Sequence, residues 1–320
     1  MLQALVSTAT QFLTDVNQSL FRTRGSVPTA ALPAPSILPK YRPLRRLRMT
    51  DGVGRTLFEE YAEHRAAARG DEETGWVLLG LRDADEAVVL ATLPAGAERD
   101  ASAAHVQFNS DAQALGSRVV RQIDRRLTIL GVAHTHPGSL RHPSDADFRG
   151  DREWVKHLRG NEGVFGIGTV DVAAEPDALY AHQPKPHVQC LGPLRITWYS
   201  LRFGAASYRP LPVELTIGPD LARPLHSLWS TIENHAERLD RLARQQAGMT
   251  IAVDTEDGKP ALAATIPLAE PGDAVRVLLR GREVRYFLAR DGQVFAAQQD
   301  EPRVDRGVYL LLADLAASTS

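Results

Sequence analysis

The chain has 320 residues, 43% of them hydrophobic, which suits two or three modest domains with buried cores. Its 37 basic and 39 acidic side chains leave a formal net charge of -2, without the basic surplus that broad nucleic-acid binding needs. The single cysteine, Cys190, excludes a disulfide framework and a cysteine-built zinc site, so a metal would have to be held by His and carboxylate groups.

Residues 1–22 carry Leu2, Leu5, Val6, Ala9, Phe12, Leu13, Val16 and Leu20 at helical spacing. The opposite face is Gln, Ser, Thr and Asn, which suits a protein surface better than a membrane. Five prolines mark residues 23–45 as an extended linker. Arg42, Arg45, Arg46 and Arg48 then read as the solvated face of a strand.

From Arg46 the pattern is α/β. A strand at 46–51 precedes a helix at roughly 54–69, a strand pair at Gly75–Leu81 and Ala87–Leu93, and a polar loop at 94–108. A helix from Ser110 to Arg126 leads to the apolar strand Leu127–Ala133, which delivers His134. A second helix starts at Ser144, Val164–Val170 is a buried strand, 172–193 is loop-like, and 194–216 holds one or two strands. An amphipathic helix through Leu225 and Leu242 connects, within 217–248, to a unit at 249–320. That unit reads as short strands separated by turns at Glu256–Gly258, Pro271–Gly272 and Asp291–Gly292, closed by a strand or helix at Gly307–Ala316. No apolar run reaches the roughly 18 residues of a membrane span, and no signal peptide is evident at the N-terminus; the expectation is a cytoplasmic protein with no membrane partner.

The chemistry concentrates in Gly131–Asp147. His134 and His136 stand two apart at the end of a strand, where alternate residues share a face, so both imidazoles can meet one ion. Pro137, Gly138 and Pro143 turn the chain back, Ser144 opens a helix and Asp147 falls in its first turn. Two imidazoles and one carboxylate leave a fourth position for water, as in catalytic zinc sites. Taken singly, Ser144-x-x-Asp147 is also a helix cap and the histidines could be ordinary loop residues. The combination of His-x-His, seven residues and Ser-x-x-Asp, with Pro137 and Pro143 placed as they are, is hard to obtain by accident.

That combination resembles the signature of the JAMM (JAB1/MPN/Mov34) metallopeptidases, in their prokaryotic JAB, deubiquitinase-like form. The family also has a Glu ahead of a Gly/Leu-rich strand, and Glu73-Thr-Gly-Trp-Val-Leu-Leu-Gly80 is similar to it, with Trp76 where a Gly is common and Gly75 one place earlier. Glu73 is preferred by its distance to Gly80; Glu72 is the neighbouring candidate.

The resemblance covers roughly residues 45–215. It implies a curved mixed sheet flanked by helices, with cytidine-deaminase-like layering, as a metallopeptidase domain at 46–216; the unit at 249–320 is a small β-rich domain that it does not explain. It implies Zn2+ held by His134, His136 and Asp147, with Glu73 as proton carrier and Ser144 as donor to the oxyanion. The implied substrate is a bond after the C-terminal tail of a ubiquitin-like protein, with E1-like and E2-like conjugation enzymes as further partners. The loop at 94–108 and the stretch at 172–193 are candidate walls for that tail. Alternatives are a sulfur-carrier or other non-ubiquitin substrate, and a non-catalytic MPN scaffold. The RadC-type branch carries Asn in its His-Asn-His-Pro, where this chain has Thr135.

Overall fold

The computed structural model describes residues 41–97, 100–102, 105–137, 140–171 and 181–318. The helix expected at 1–22 and most of the linker at 23–45 lie outside them, as does the first part of the 172–193 stretch. The chain divides into two units. One takes the described residues up to Ala95 with Arg99–Ser110 and Asp124–Arg223; the other takes Gly96–Glu98, Asp111–Ile123 and the residues from Pro224 onward.

The first unit opens with β1 (Arg46–Thr50), which runs straight into α1 (Asp51–Ala66). Thr50 caps that helix, its side chain accepting from the Val53 amide at 3.3 Å. Val53, Leu57 and Tyr61 recur every four residues and bury one face. Then come β2 (Gly75–Arg82), β3 (Glu86–Pro94), the short pair β4 (Asp100–Ser102) and β5 (His105–Gln107), and β6 (Thr128–Thr135). Next are α3 (Asp145–Trp154), which follows α2 (Ser110–Arg121) of the other unit, and β7 (Glu162–Val170). The hairpin β8 (Ala181–Lys185) and β9 (Val188–Leu191), then β10 (Leu194–Arg202), β11 (Arg209–Pro210) and β12 (Val213–Thr216), complete the unit.

Apart from β4 and β5, which pair only with each other, these strands form one mixed sheet in the order β12-β1-β3-β2-β6-β7-β10-β9-β8, with β11 beside β10. The pairs β1–β12, β1–β3 and β6–β7 are parallel and the others antiparallel. This is the expected curved mixed sheet with helices. A buried cluster of Leu47, Met49, Leu57, Trp76, Leu78, Leu130 and Ala133 ties the sheet to α1. A second cluster of Trp154, Leu158, Phe165 and Leu201, with Val132 and Phe148 packed against it, ties it to α3. Alternation along β6 therefore sends Ala133 towards the first cluster and Val132, His134 and His136 towards the second.

The basic run is a strand surface, as read from the sequence: Arg46 pairs with Glu86, and Arg48 lies 3.2 Å from Glu86 and 3.5 Å from Glu214. Such exposed pairs are screened by water and add little to stability. Arg82 and Glu162 form a buried pair at 3.6 Å, and Glu162 also accepts from the Leu44 amide at 2.7 Å. The polar loop expected at 94–108 contains the β4–β5 pair, and the stretch expected as loop includes the β8–β9 hairpin. Ala181–Lys185 is exposed throughout, so it carries no apolar alternation that would mark a strand.

The second unit comprises α2, α4 (Arg223–His226) from Pro224, α5 (Trp229–Gln245), a five-stranded antiparallel meander and α6 (Val304–Ser318). The meander is β13 (Thr250–Glu256), β14 (Lys259–Pro267), β15 (Ala274–Arg280), β16 (Glu283–Arg290) and β17 (Gln293–Ala296), in that order. Asp257-Gly258 and Asp291-Gly292 have positive φ at both residues, the backbone that joins tight hairpins. α2 is bound within this unit by Arg118 to Asp240 at 2.6 Å and by Gln122 donating to the Ile251 carbonyl at 2.8 Å. The closing element, expected as strand or helix, is helical. Among the described residues no helix is long and apolar enough to cross a membrane.

Candidate metal centre

β6 ends at Thr135, and the His136 amide continues the parallel ladder by donating to the Gly168 carbonyl at 2.8 Å. The site lies at the carboxyl end of these parallel strands, where α/β sheets commonly place ligands. His134 and His136 are 7% and 5% exposed, with their Nε2 atoms 3.0 Å apart. Two imidazoles brought this close in a buried setting need a proton or a cation between them.

The third member comes from α3. Ser144 is its N-cap, accepting from the Asp147 amide at 3.1 Å, while the Asp147 carboxylate accepts from the Ser144 amide at 2.6 Å. This reciprocal capping box swings the Asp147 side chain back towards β6. Its Oδ1 lies 3.3 Å from His134 Nε2 and its Oδ2 3.4 Å from His136 Nε2. Candidate ligand atoms of His134, His136 and Asp147 all lie within 4.8 Å of one another, so these three residues can hold a metal ion. His136 Nδ1 faces the Leu140 carbonyl at 3.1 Å. A hydrogen on Nδ1, which that carbonyl would accept, leaves the Nε2 lone pair directed at the group.

Charge within the site is uneven. Burial opposes protonation of His134, yet the hydrogen bond and charge of Asp147 outweigh it and raise its pKa to about 9. Burial alone would raise Asp147, but hydrogen bonds from both histidines hold its carboxyl well below the usual range.

Glu73 sits opposite His136. The β2–β6 register pairs Gly75 with His134, and two further bonds extend it: Thr135 N donates to the Thr74 carbonyl at 2.9 Å, and Thr74 N to Thr135 Oγ1 at 3.0 Å. Glu73 is 6% exposed and its Oε1 lies 4.0 Å from His136 Nε2. Burial pushes its carboxyl pKa up, against the lowering effect of the two histidines. Gly75 lies between these residues because a Cβ there would stand 2.7 Å from the Ala133 carbonyl oxygen and 3.2 Å from His134 Cβ. Trp76, the departure from the family pattern, points into the α1 cluster, where its Nε1 donates to Glu60 at 2.7 Å. Glu72 is engaged elsewhere, 2.5 Å from Arg69. His142 is exposed, with Nδ1 facing the Pro143 carbonyl at 3.2 Å. On β9, Cys190 is half-buried, and burial pushes its thiol pKa up.

Thr135→Val removes the acceptor of the buried Thr74 amide while keeping side-chain shape. The expected result is a loss of about 1–3 kcal/mol in unfolding free energy, read from urea melts of the metal-free chain.

Two residues near the group escaped the sequence. Asp151 stands one helical turn beyond Asp147, and Tyr208 Oη donates to its Oδ2 at 2.7 Å. The i, i+4 spacing to Asp147 was a usable signal for Asp151; Tyr208, in the link between β10 and β11 far along the chain, had none.

Residues 55–181 match the family described as prokaryotic homologs of the JAB domain. Among solved structures the chain is similar to protein DSY2949 from Desulfitobacterium hafniense, at 17% identity and a TM-score of 0.35 over 54% of this chain and 95% of that one. No curated protein matches.

Proposed function

We propose that the JAB domain is a zinc-dependent peptidase or isopeptidase that cleaves after the C-terminal tail of a ubiquitin-like protein. The observation that carries this reading is a buried acid, Glu73, facing the His134–His136–Asp147 group while standing farther from it than the three stand from one another.

The donor set fits zinc. Tetrahedral zinc bonds of about 2.0–2.1 Å place neighbouring donor atoms about 3.3 Å apart, and the separations here are 3.0, 3.3 and 3.4 Å. Calcium, with bonds of about 2.3–2.6 Å and six to eight oxygen ligands, fits less well. Zinc held by these residues would polarise a carbonyl and make water acidic enough to attack near neutral pH.

The chain's own residues supply the rest. Glu73, its pKa raised by burial, is suited to take a proton from the attacking water and return it to the leaving amine. Ser144 Oγ spends a lone pair on the Asp147 amide, and that bond does not use its hydrogen, which can be donated to the developing oxyanion. The Glu73 amide donates to the Ser102 carbonyl at 2.8 Å, so the β4–β5 pair borders the proton acceptor. An extended tail laid along such an edge would gain main-chain hydrogen bonds. On this reading the partners are a ubiquitin-like protein and the E1-like and E2-like enzymes that conjugate it.

The test is a linear fusion of a ubiquitin-like protein to a reporter, incubated with the full chain with and without zinc. Cleavage at the tail that disappears with a chelator and returns with zinc is expected. Zinc binding without cleavage of ubiquitin-like fusions would redirect the substrate to another class, such as sulfur-carrier proteins. Failure to bind any metal would leave a scaffold role.

A further inference from the structure

We infer that Tyr208, acting through Asp151, is a positioning residue that sets where Asp147 meets the two histidines. This rests on the metal-centre reading above but concerns residues outside the ligand set.

The three putting their atoms together come from different elements: His134 and His136 from the end of β6, Asp147 from the first turn of α3. The distance between strand and helix therefore decides whether both carboxylate oxygens reach both imidazoles. The capping box cannot fix that distance, because it joins Asp147 only to Ser144, its neighbour on the same helix. α3 is ten residues long, so it needs holding from outside.

Tyr208 supplies that hold at two points. Its hydroxyl donates to Asp151, which shares the helix face of Asp147 one turn on. Its ring stands edge-on to Phe148, the residue after Asp147, with centroids 5.8 Å apart. The same ring is edge-on to Phe165 at 5.6 Å and to Tyr199 at 6.1 Å. Phe165 lies on β7 directly beside Val132 of β6, and Tyr199 lies on β10 opposite Phe165. One side chain thus links the helix that carries the carboxylate to the strands that carry and flank the histidines. Burial lifts the Tyr208 hydroxyl above its usual pKa, so it stays a donor throughout the working range.

The aromatic contacts and the hydroxyl can be separated. Tyr208→Phe keeps the ring and deletes only the bond to Asp151. Asp151→Asn keeps an acceptor for that bond and removes the charge, and Asp151→Leu removes both. Zinc affinity of the full chain is measured by competition with a chromophoric chelator, and ligand geometry by the visible spectrum of the cobalt-loaded protein. Tyr208→Phe is expected to bind zinc about tenfold more weakly, the scale of losses when an outer partner of a metal ligand is removed, and to shift the cobalt bands. Asp151→Leu should match it, and Asp151→Asn should stay within about threefold of the parent chain on the same scale.

A Tyr208→Phe chain with unchanged affinity and spectrum overturns the inference. So does Asp151→Asn falling as far as Asp151→Leu, which would assign the effect to charge rather than to the bond. If Asp151→Leu does not fold, the Tyr208→Phe result decides. Parent protein that binds zinc while Tyr208→Phe is unaffected leaves the hydrolase reading standing; parent protein that binds no metal removes both.

Discussion

Glu73→Gln is expected to lower kcat by about a thousandfold, equivalent to about 4 kcal/mol of transition-state stabilisation, while zinc content stays at the parent level. The amide has nearly the shape of the carboxylate, so a residue that is 6% exposed keeps its packing. It cannot accept the proton that hydrolysis must move. Glu73 lies 4.0 Å from the nearest imidazole nitrogen, outside the 3.0–3.4 Å spacing of the three candidate ligands, which is why binding should survive. Its backbone is held independently, through Ser102 and through the Thr74–Thr135 pair. Initial rates and zinc stoichiometry measured on one preparation check both halves. A variant that loses zinc would make Glu73 a ligand, and one that keeps full activity would remove it from the chemistry. Glu72→Gln is the matched control: Glu72 is paired with Arg69, and its variant should turn over normally.

The site was legible where chemistry and local geometry coincide. His134 and His136 share a face because strand residues alternate, and Ser144-x-x-Asp147 marks a helix start whatever else it does. The cap reading and the ligand reading are not rivals: the capping box is what turns Asp147 towards the imidazoles. The position of Glu73 followed from spacing to Gly80, but its placement opposite His136 depends on a strand register that spacing does not contain.

Fold elements were hidden for identifiable reasons. Val213–Thr216 fell within the span read as one or two strands, but its partner was hidden: it is four residues long with three exposed, and its parallel pairing with β1 joins segments more than 160 residues apart. Ala181–Lys185 is exposed throughout and contains Pro184. α6 was ambiguous because Gly307 interrupts it. The glycine is there for packing: a Cβ would fall 2.1 Å from Tyr286 Oη, the hydroxyl that donates to the Glu301 carbonyl at 2.8 Å. Tyr208 was illegible because its partner Asp151 is 57 residues away and no periodicity connects them.

His134→Ala should abolish both metal binding and turnover, in contrast to Glu73→Gln. It removes one of the three candidate ligands, and since loss of an outer partner alone weakens binding about 10–100-fold, affinity should fall by more than about a hundredfold. The parent chain should show a further signature. With no ion bound the His134 pKa is raised to about 9, so below that pH a proton occupies the nitrogen that a zinc ion would need. Zinc affinity should therefore strengthen as pH rises from 7 towards 9. The same proton stabilises the metal-free fold: that contribution is complete below the unfolded-state histidine pKa of about 6.5 and is lost as pH rises through about 9. His134→Ala should lose this part of the stability–pH curve. Chelator-competition titrations and urea melts at several pH values read the two effects separately. Zinc affinity that is flat across this range in the parent chain would mean His134 carries no proton there, and zinc retained by His134→Ala would mean the ion sits on other residues.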